Sequence, residues 1–495
     1  MRRAGGAGRR RGGHLRRADP AGSTGQELIF LPSHGPAAPL PRLHVTAATL
    51  PSPTAPGAVR TAAATAERCI RSGTALTDSP SAILDLQPLS ISTETGLNIA
   101  RSVLPPRLRP AAELGILDIS EFFGETTGGV RTYLLEKARY VQRNAALRQV
   151  LVVPGGRDEI LEGGGVRCYR LHGAPIPTQK PYRFMLATES TSRIVAHERP
   201  DVIEVGSAWC APWLIRLATK RLNVPTVWFY HSNFPRIIAP RPTSAGWLRR
   251  AASAAAWRYV RRLGRLVHTT IAPSENVVRQ LHEAGLERVV YVPLGVDLER
   301  FNPARRSSAE QTRARFGLPG GRLAMYVGRI AGEKDLDVLL RGWVDVEQRT
   351  ETRLVIVGDG PARRTLAAAT GGNCAIWIPF ERDRDRLADL YTSVDLYVAP
   401  GPAETFGLAS LEALASGIPV LSVDQGGVAE TVTRSGAGAL YRSGDSGHMA
   451  EVAEQLLEKD LVRLGDLGRR YAESNHSWST VFDRLFTVYR GVLAS

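Results

Sequence analysis

From residue 113 onward, short apolar runs alternate with stretches in which apolar residues recur every three or four positions. The runs Leu114–Ile119, Val202–Val205, Leu323–Val327 and Arg353–Val357 are typical of buried strands, and the periodic stretches between such runs are typical of helices. Strands that alternate with helices form a parallel sheet covered by crossover helices. The pattern therefore predicts an α/β fold with two Rossmann-like domains.

Pro and Gly punctuate the segment 292–303, which we interpret as the linker between the domains. The first domain then spans residues 111–295 and the second 296–475, followed by a last helical segment, 476–495. Ligands of parallel α/β sheets bind beyond the carboxyl ends of the strands. We therefore expect the domains to face each other across a cleft lined by the loops that follow the strands.

Residues 1–110 have no sustained apolar period and are rich in Ala, Pro, Gly, Ser, Thr and Arg. Such a composition is typical of disordered segments, which bury too little apolar surface to fold. We predict a disordered leader over this range. The alternative is that the segment is an upstream extension from a mispredicted start site.

The net charge of +15 raises the question of a nucleic-acid partner, so its distribution matters. Residues 1–110 account for a surplus of eight positive charges, which leaves seven for the rest of the chain. That distribution suits phosphate-bearing ligands or an anionic surface, and no nucleic acid is expected. No apolar run approaches the ~20 residues of a membrane-spanning helix, and the four cysteines have neither disulfide nor zinc spacing. A cytoplasmic location fits best.

Two carboxylates, Glu404 and Glu412, stand eight residues apart where a turn enters an apolar helix. The N–H groups at a helix N-terminus can bind an anion, and carboxylates accept hydrogen bonds from sugar hydroxyls. The spacing therefore suggests a site for a nucleotide sugar. A Glu stabilised by the helix dipole and a second, surface Glu would give the same pattern. The residues of the turn are Thr405, Phe406, Gly407 and Leu408.

Arg329 and Lys334 follow the run Leu323–Val327 and stand five residues apart. Arg can fork onto a phosphate while Lys supplies a point charge, so together they can neutralise a diphosphate leaving group; the alternative is a solvated loop. Gly128 and Gly129 lie between the first run and a helix. Glycine there lets the backbone approach a phosphate, or simply forms a turn.

His231 ends the apolar run 226–230 at the expected cleft, where it is either a site residue or a structural histidine. Trp257 lies in a basic amphipathic segment. That segment is either a scaffold helix or a contact with an anionic membrane, to which each basic side chain would add about 1 kcal/mol. Its basic residues are Arg258, Arg261, Arg262 and Arg265.

Taken in chain order, these motifs resemble those of the retaining glycosyltransferases of family four, which have the GT-B fold. The linker at 295–297, the turn at 358–361 and the segment 415–419 belong to the same pattern, and the resemblance covers about residues 113–492. Segments 231–236, 382–388 and 399–407 resemble more narrowly the bacterial α-mannosyltransferases that act on lipids. The segment 477–493 resembles the family's last helix, which crosses back to the first domain.

The resemblance implies that Arg329 and Lys334 contact the donor diphosphate and that Glu412 contacts the ribose hydroxyls. It implies that Glu404 contacts the transferred hexose, with the backbone of residues 405–408 beside it. A metal or other cofactor is not expected, because cations and helix N-termini neutralise the leaving group.

On the side of the first domain, the resemblance implies that a backbone N–H near Gly129 meets the distal phosphate. His231 would line the reaction centre. No carboxylate is assigned as a nucleophile, so a front-face return of the acceptor is the favoured route to retention.

The expected function is transfer of a hexose, mannose from GDP-mannose, to a lipid or glycan acceptor, in the cytoplasm or on the inner face of the membrane. A transferase that uses UDP-glucose or another UDP-sugar is the alternative, because Pro379 stands where relatives usually have Gly before the base-contacting loop. A non-enzymatic binder of anionic membranes or RNA is an alternative of a different class. The paired sugar and diphosphate contacts argue against that binder.

Overall fold

The computed structural model describes residues 84, 86–89, 97–124, 128–177, 181–220, 222–238, 246–369 and 375–495. Most of the expected leader, including residues 1–83, lies outside this part of the chain. Within it, a mostly parallel sheet and a fully parallel sheet each carry helices, as expected for two Rossmann-like domains.

The first domain contains β1 (Gln87–Pro88), β2 (Leu114–Ile119), α1 (Gly129–Gln142), β3 (Leu147–Gly155), β4 (Glu159–Gly163), β5 (Val166–His172), α2 (Thr188–Glu198), β6 (Val202–Val205), α3 (Ala211–Ala218), β7 (Thr226–Phe229), α4 (Phe234–Ile238), α5 (Gly246–Gly264), β8 (Thr269–Ala272), α6 (Glu275–Glu283) and β9 (Val289–Tyr291). Its sheet has the order β1-β4-β5-β3-β2-β6-β7-β8-β9. Only the pairs β1–β4 and β4–β5 are antiparallel among the described strands.

The second domain contains α7 (Ala309–Phe316), β10 (Leu323–Val327), α8 (Leu336–Thr350), β11 (Arg353–Val357), α9 (Arg363–Ala369), β12 (Ile376–Ile378), α10 (Arg384–Thr392), β13 (Leu396–Ala399), α11 (Leu408–Ala415), β14 (Val420–Val423), α12 (Gly426–Ser435), β15 (Gly438–Tyr441), α13 (Ser446–Leu457) and α14 (Leu461–Asn475). A final helix, α15, spans Trp478–Ala494. The sheet is parallel, with the order β12-β11-β10-β13-β14-β15.

The end of the expected leader needs a correction, because part of residues 1–110 belongs to the first domain. The strand β1 pairs with β4, and Ile99 and Leu108 are buried in the first domain's core. The Ile99 N–H donates to Asp158 Oδ2 at 2.9 Å and the Leu108 N–H to Glu198 Oε2 at 3.2 Å. Apolar periodicity could not reveal this segment, because residues distant in the chain hold its backbone: the strand β4, Asp158 and Glu198 at the end of α2.

The helix α15 returns from the second domain and packs on α1 of the first. The Val296 N–H, in the linker, donates to the His476 carbonyl at 2.8 Å just before α15 begins. The rings of Phe482 and Tyr133 have centroids 5.8 Å apart, and Tyr489 is fully buried. The linker and α15 therefore both connect the two domains.

A buried polar cluster fixes the far end of α15. Lys137 Nζ donates to Asp118 Oδ1 and to the Tyr489 hydroxyl, both at 2.6 Å, and the Tyr489 hydroxyl donates to Glu204. These four side chains are at most 1% exposed. Buried charges require such complete pairing, so the cluster specifies where α15 docks. None of the described helices is long and apolar enough to cross a bilayer.

Candidate active site

The order of the second sheet locates its binding site. Relative to β10 as the first strand, the order is 3-2-1-4-5-6, and the topological switch point falls between β10 and β13. In such sheets ligands bind beyond the carboxyl ends of the strands at this point. The loop after β10 carries Arg329 and Lys334, and the loop after β13 carries Glu404. The topology thus brings Glu404 to the same edge of the sheet as Arg329 and Lys334, although Lys334 lies 70 positions earlier in the chain.

Lys334 and Glu404 form an ion pair in which Lys334 Nζ donates to Glu404 Oε1. Burial opposes the charge on Lys334, but the charge and hydrogen bond of Glu404, with Glu333 and Tyr182, raise its pKa overall. Lys334 is therefore a fixed cation at neutral pH. A diphosphate at Lys334 and a sugar hydroxyl at Glu404 would be neighbours, as the two assigned roles require.

The Arg329 guanidinium lies over the ring of Tyr182 in the first domain, 5.7 Å from the ring centroid. Burial raises the pKa of the Tyr182 hydroxyl, and the charges of Arg329 and Lys334 oppose that rise. Both cations therefore face the same wall of the first domain. Nothing in the sequence around Tyr182 pointed to this residue.

The turn after β11 holds the Arg329 loop in place. A Cβ added to Gly358, whose φ is +143°, would lie 2.0 Å from the Gly328 carbonyl oxygen. The Ile330 N–H donates to the Asp359 carbonyl at 2.9 Å, and the Tyr326 hydroxyl donates to the Arg329 carbonyl at 2.9 Å. The glycine turn therefore supports the cationic loop through backbone contact.

Two helix N-termini meet across the domains. Gly129 is the first residue of α1 and Leu408 the first of α11; a Cβ added to Gly129 would lie 3.2 Å from Leu408 Cδ1. Gly407, which precedes α11, has a φ of +89°, and a Cβ there would lie 2.2 Å from Val428 Cγ2. Each N-terminus carries about half a positive charge. The convergence of the two makes this a favourable place for an anion, and Gly128 lies beside it as the N-cap of α1.

The first domain also contacts the loop after β13 directly. Thr405 Oγ1 donates to the His231 carbonyl at 2.7 Å, and Ser274 Oγ donates to the Thr405 carbonyl at 2.8 Å. Arg236 reaches across with Nη1 to the Pro402 carbonyl, at 2.7 Å. These contacts hold the loop that carries Glu404 against the carboxyl end of β7.

The His231 ring stacks on Phe229, with centroids 4.1 Å apart and planes 1° apart. Burial, with a smaller effect from Lys137, lowers the pKa of His231 to about 3. Its Nε2 is buried and has no hydrogen-bond partner among the described residues. At neutral pH His231 is therefore a neutral imidazole. It can donate or accept a hydrogen bond, but it holds no imidazolium proton to give up as a general acid.

Glu412 is 5% exposed and already has two donors. Arg384 Nη2 donates to its Oε1 at 2.7 Å, and the Tyr391 hydroxyl to its Oε2 at 3.3 Å. A carboxylate offers about four acceptor positions, so capacity for a ribose hydroxyl remains. That role of Glu412 stays a prediction. Arg384 belongs to the same site because it pairs with Glu412. It was not predicted from the sequence, because only the fold brings these two residues together.

Phe406, which the sequence places among the donor-binding residues, has its side chain in the core. It is 4% exposed and its ring lies 5.6 Å from that of His476. Only its backbone can therefore face a ligand.

Trp257, for which the sequence left open a scaffold helix or a membrane contact, is half-buried and packs on the first domain's core, whereas the arginines of that helix are exposed. The exposed apolar side chains lie at the start of the same helix, where Trp247 is 66% and Leu248 45% exposed. The apolar residues available for a membrane contact are therefore Trp247 and Leu248, which the sequence analysis did not name. Of the four arginines named from the sequence, Arg258, Arg261 and Arg262 lie in this helix and Arg265 follows it directly, and all four are exposed.

Across the described ranges, no group of three or more His, Cys, Asp or Glu side chains could hold a metal ion. The cationic character of the site comes from Arg329, Lys334 and the two helix N-termini.

Comparison with known proteins agrees with this arrangement. The family model "Glycosyltransferase Family 4" matches residues 127–300, and "Glycosyl transferases group 1" matches residues 308–476. A GDP-mannose-dependent alpha-mannosyltransferase of Mycobacterium tuberculosis is 30% identical over 381 residues, which cover 76% of this chain and 96% of that protein. The chain belongs to family four of the glycosyltransferases, in the GT-B fold.

The chain is also similar to a second mannosyltransferase in sequence and to a solved synthase in structure. A GDP-mannose-dependent alpha-(1-6)-phosphatidylinositol dimannoside mannosyltransferase of Mycobacterium tuberculosis is 31% identical over 323 residues, covering 64% of this chain and 81% of that protein. The structure of a sucrose-phosphate synthase from Thermosynechococcus elongatus superposes with a TM-score of 0.64 at 20% identity, covering 77% of this chain and 99% of that chain. The latter similarity concerns the fold alone. The expected fold class and family are thus confirmed, and the protein is a glycosyltransferase close to bacterial mannosyltransferases.

Proposed function

We propose that the protein transfers mannose from GDP-mannose to a lipid or glycan acceptor with retention of the anomeric configuration. The observation that carries this proposal is the meeting of the N-termini of α1 and α11 beside the loop whose Glu404 pairs with Lys334, at the switch point of the second sheet. The choice of donor is supported by the relatives of 30% and 31% identity whose names include GDP-mannose.

The chemistry follows from where charge develops. Breaking the bond between the sugar and the diphosphate leaves an oxocarbenium-like sugar and a more negative GDP. Fixed positive groups at the phosphates lower this barrier because they need no reorganisation during the reaction. In this proposal Lys334, Arg329 and the N-termini of α1 and α11 supply that charge, so EDTA should leave activity unchanged.

Retention is proposed to proceed on one face of the sugar. Glu404 is the carboxylate beside the transferred hexose, and its charge is compensated by Lys334, which weakens it as a nucleophile. The acceptor hydroxyl would instead approach from the first domain, on the side of the leaving diphosphate, and pass its proton to the departing phosphate. His231, neutral in this site, would contribute a hydrogen bond and no proton.

We place the enzyme in the cytoplasm, on the inner face of the membrane. The support is the surface of α5, where Trp247 and Leu248 are exposed at its start and five exposed arginines follow along it. Aromatic and basic side chains together are typical of helices that lie in the membrane interface.

The test of donor choice is thermal unfolding with a panel of nucleotides and nucleotide sugars. A ligand at 100 times its Kd stabilises the native state by about 2.7 kcal/mol. Selective stabilisation by GDP and GDP-mannose is expected. Selective stabilisation by UDP would favour the UDP-sugar alternative, and no shift with any nucleotide would refute the assignment of the site.

A further inference from the structure

The helix α6 of the first domain meets α12 of the second at a contact that is separate from the linker and from α15. The Glu430 carboxylate, on α12, accepts the Asn276 N–H at 2.8 Å on Oε2 and the Glu275 N–H at 3.2 Å on Oε1. Glu275 and Asn276 are the first two residues of α6. A side chain of the second domain therefore caps the N-terminus of a helix in the first.

This cap completes the hydrogen bonds at the start of α6. The first N–H groups of a helix have no partner within the helix. Ser274, the N-cap residue, accepts the N–H of Val277 at 3.2 Å, and Glu430 accepts the two that precede it. The Glu430 side chain is only 15% exposed. Because hydrogen bonds to a carboxylate are stronger than those between neutral groups, we expect these two bonds to hold α6 and α12 together.

An ion pair accompanies the cap but is more accessible to water. Arg434, one turn further along α12, has its Nη1 3.0 Å from Glu275 Oε1 and 3.6 Å from Glu430 Oε1. The side chains of Arg434 and Glu275 are about half exposed, and ion pairs at such positions contribute little. The two backbone hydrogen bonds to Glu430 are therefore the main part of this contact.

The start of α12 also supports the loop that carries Glu404. The Gly427 N–H donates to the Glu404 carbonyl at 2.8 Å. A Cβ added to Gly427 would lie 2.2 Å from the Thr405 carbonyl oxygen, so only glycine permits this approach. The same carbonyl oxygen accepts the Ser274 hydroxyl of the first domain at 2.8 Å. The loop is thus held between the start of α12 and the start of α6, the two helices that Glu430 joins.

We infer that Glu430 is a positioning residue of the transfer reaction, which fixes where Glu404 stands relative to His231 by bonding to the start of α6. The inference rests on the proposed glycosyl transfer. The side chains assigned to the diphosphate and the ribose all belong to the second domain, so GDP binding needs little from Glu430. The transfer step needs groups of both domains in register. A change at Glu430 should therefore lower kcat and leave the affinity for GDP nearly unchanged.

The first test measures GDP release from GDP-mannose and calorimetric binding of GDP in Glu430→Ala. Its kcat should fall at least tenfold, while its Kd for GDP should stay within threefold of wild type. Glu454→Ala is the matched control, because Glu454 lies on α13 of the same domain, is 24% exposed and pairs with Arg349 of that domain. The kcat of this control should stay within twofold of wild type.

Two results of this test would overturn the inference. One is a kcat of Glu430→Ala within twofold of wild type. The other is a loss of GDP affinity as large as the loss in kcat, because it would make Glu430 a residue of the donor site.

A second pair of variants tests the contact from the side of α6. Glu275→Pro removes the Glu275 N–H, and proline suits the first position of a helix. Ser274, which precedes it, is extended with φ −144° and ψ 154°, as a residue before proline requires. Glu275→Ala removes the same carboxylate and keeps the N–H. The kcat of Glu275→Pro should be at least threefold below that of Glu275→Ala, and equal values would overturn the inference.

Hydrogen exchange separates this inference from the proposed function, because it needs no turnover. In Glu430→Ala the backbone N–H groups of Glu275 and Asn276 should exchange at least tenfold faster than in wild type, whereas those of α13 should keep their rates. If wild type releases no GDP from GDP-mannose, the proposed donor is wrong, and the exchange rates still decide whether Glu430 holds the start of α6. Unchanged exchange at Glu275 and Asn276 would overturn the inference.

Discussion

Replacing Lys334 by Met tests the cation that we assign to the leaving diphosphate. Met keeps most of the side-chain volume and removes the charge. In the folded protein Lys334 pairs with Glu404, and the two side chains are 21% and 32% exposed. Ion pairs this accessible contribute about 1 kcal/mol or less to stability. The variant should therefore fold, with a melting temperature only about 2–4 °C lower.

The effect on turnover should be much larger than the effect on stability. Removing one group that stabilises developing charge typically costs about 2.7–4 kcal/mol, or about 10²–10³ in kcat. The assay is GDP release from GDP-mannose, measured beside thermal melting of the same preparation. Lys459→Met is the matched control, because Lys459 is exposed on the second domain away from the site. The kcat and the melting temperature of this variant should equal those of wild type.

A double variant separates a direct role of Lys334 from a role through Glu404. If Lys334 only orients Glu404, then Lys334→Met/Glu404→Gln will be no slower than Glu404→Gln. A cation that contacts the diphosphate predicts a further loss of about tenfold or more in the double variant. A kcat for Lys334→Met within threefold of wild type would refute the reasoning.

Three further substitutions address other parts of the structure. Tyr489→Phe leaves Lys137 and Glu204 buried with one partner fewer, and should lower the free energy of unfolding by about 1–3 kcal/mol in urea titrations. His231→Gln should reduce the loss of stability in acid. In the folded protein the pKa of His231 is lowered to about 3. Below about pH 6.5 this histidine is therefore protonated in the unfolded chain but stays neutral in the folded chain, and the free energy of unfolding falls. Wild type should therefore lose about 2 kcal/mol more than the variant between pH 7 and pH 5. Trp247→Ser should weaken sedimentation with anionic vesicles several-fold.

Each of these has its own control. Tyr140→Phe removes a partly exposed hydroxyl from the same pair of helices and should cost less than Tyr489→Phe; equal costs would argue against the buried cluster. His476, whose pKa burial lowers to about 4, contributes equally to both proteins in the acid comparison. Parallel stability curves for wild type and His231→Gln would contradict the neutral state of His231. Equal binding of wild type and Trp247→Ser to vesicles would remove Trp247 as an anchor.

The buried parallel strands could be predicted closely from the sequence. Leu114–Ile119, Leu323–Val327 and Arg353–Val357 are strands with the bounds that their apolar runs give. These runs are covered on both faces, so nearly every position is apolar and the boundaries are sharp. Because the loops after such strands fall at one edge of the sheet, the placement of Arg329, Lys334 and Glu404 followed from chain order.

The hairpin of β4 and β5 was not predicted, although it belongs to the sheet of the first domain. Its strands, Glu159–Gly163 and Val166–His172, are antiparallel and contain charged residues that pair with one another or with α2. A period-two pattern is hidden when charged side chains point inward. One signal was available: Gly164 and Gly165 have φ of +59° and +87°, the two-residue turn that consecutive glycines favour in hairpins.

The contacts between side chains could not be predicted, because they join residues that only the fold brings together. Tyr182, in a loop of the first domain, meets Arg329, and Arg384 at the start of α10 meets Glu412 in α11; neither contact has a local signal in the sequence. Trp257 and Trp247 share one helix, yet neighbouring elements decide which of them is exposed. Periodicity identifies the faces of a helix but leaves open which stretch of a face is covered.

The central claim, mannosyl transfer at this site with retention, is tested most directly by following GDP-mannose labelled with ¹³C at the anomeric carbon by NMR. We predict release of GDP with α-mannose as the first anomer formed, whether on an acceptor or on water, at a rate about 10²–10³ lower in Lys334→Met. UDP-glucose, supplied in the same tube, should persist. Consumption of UDP-glucose in place of GDP-mannose, or β-mannose as the first product, would contradict the account.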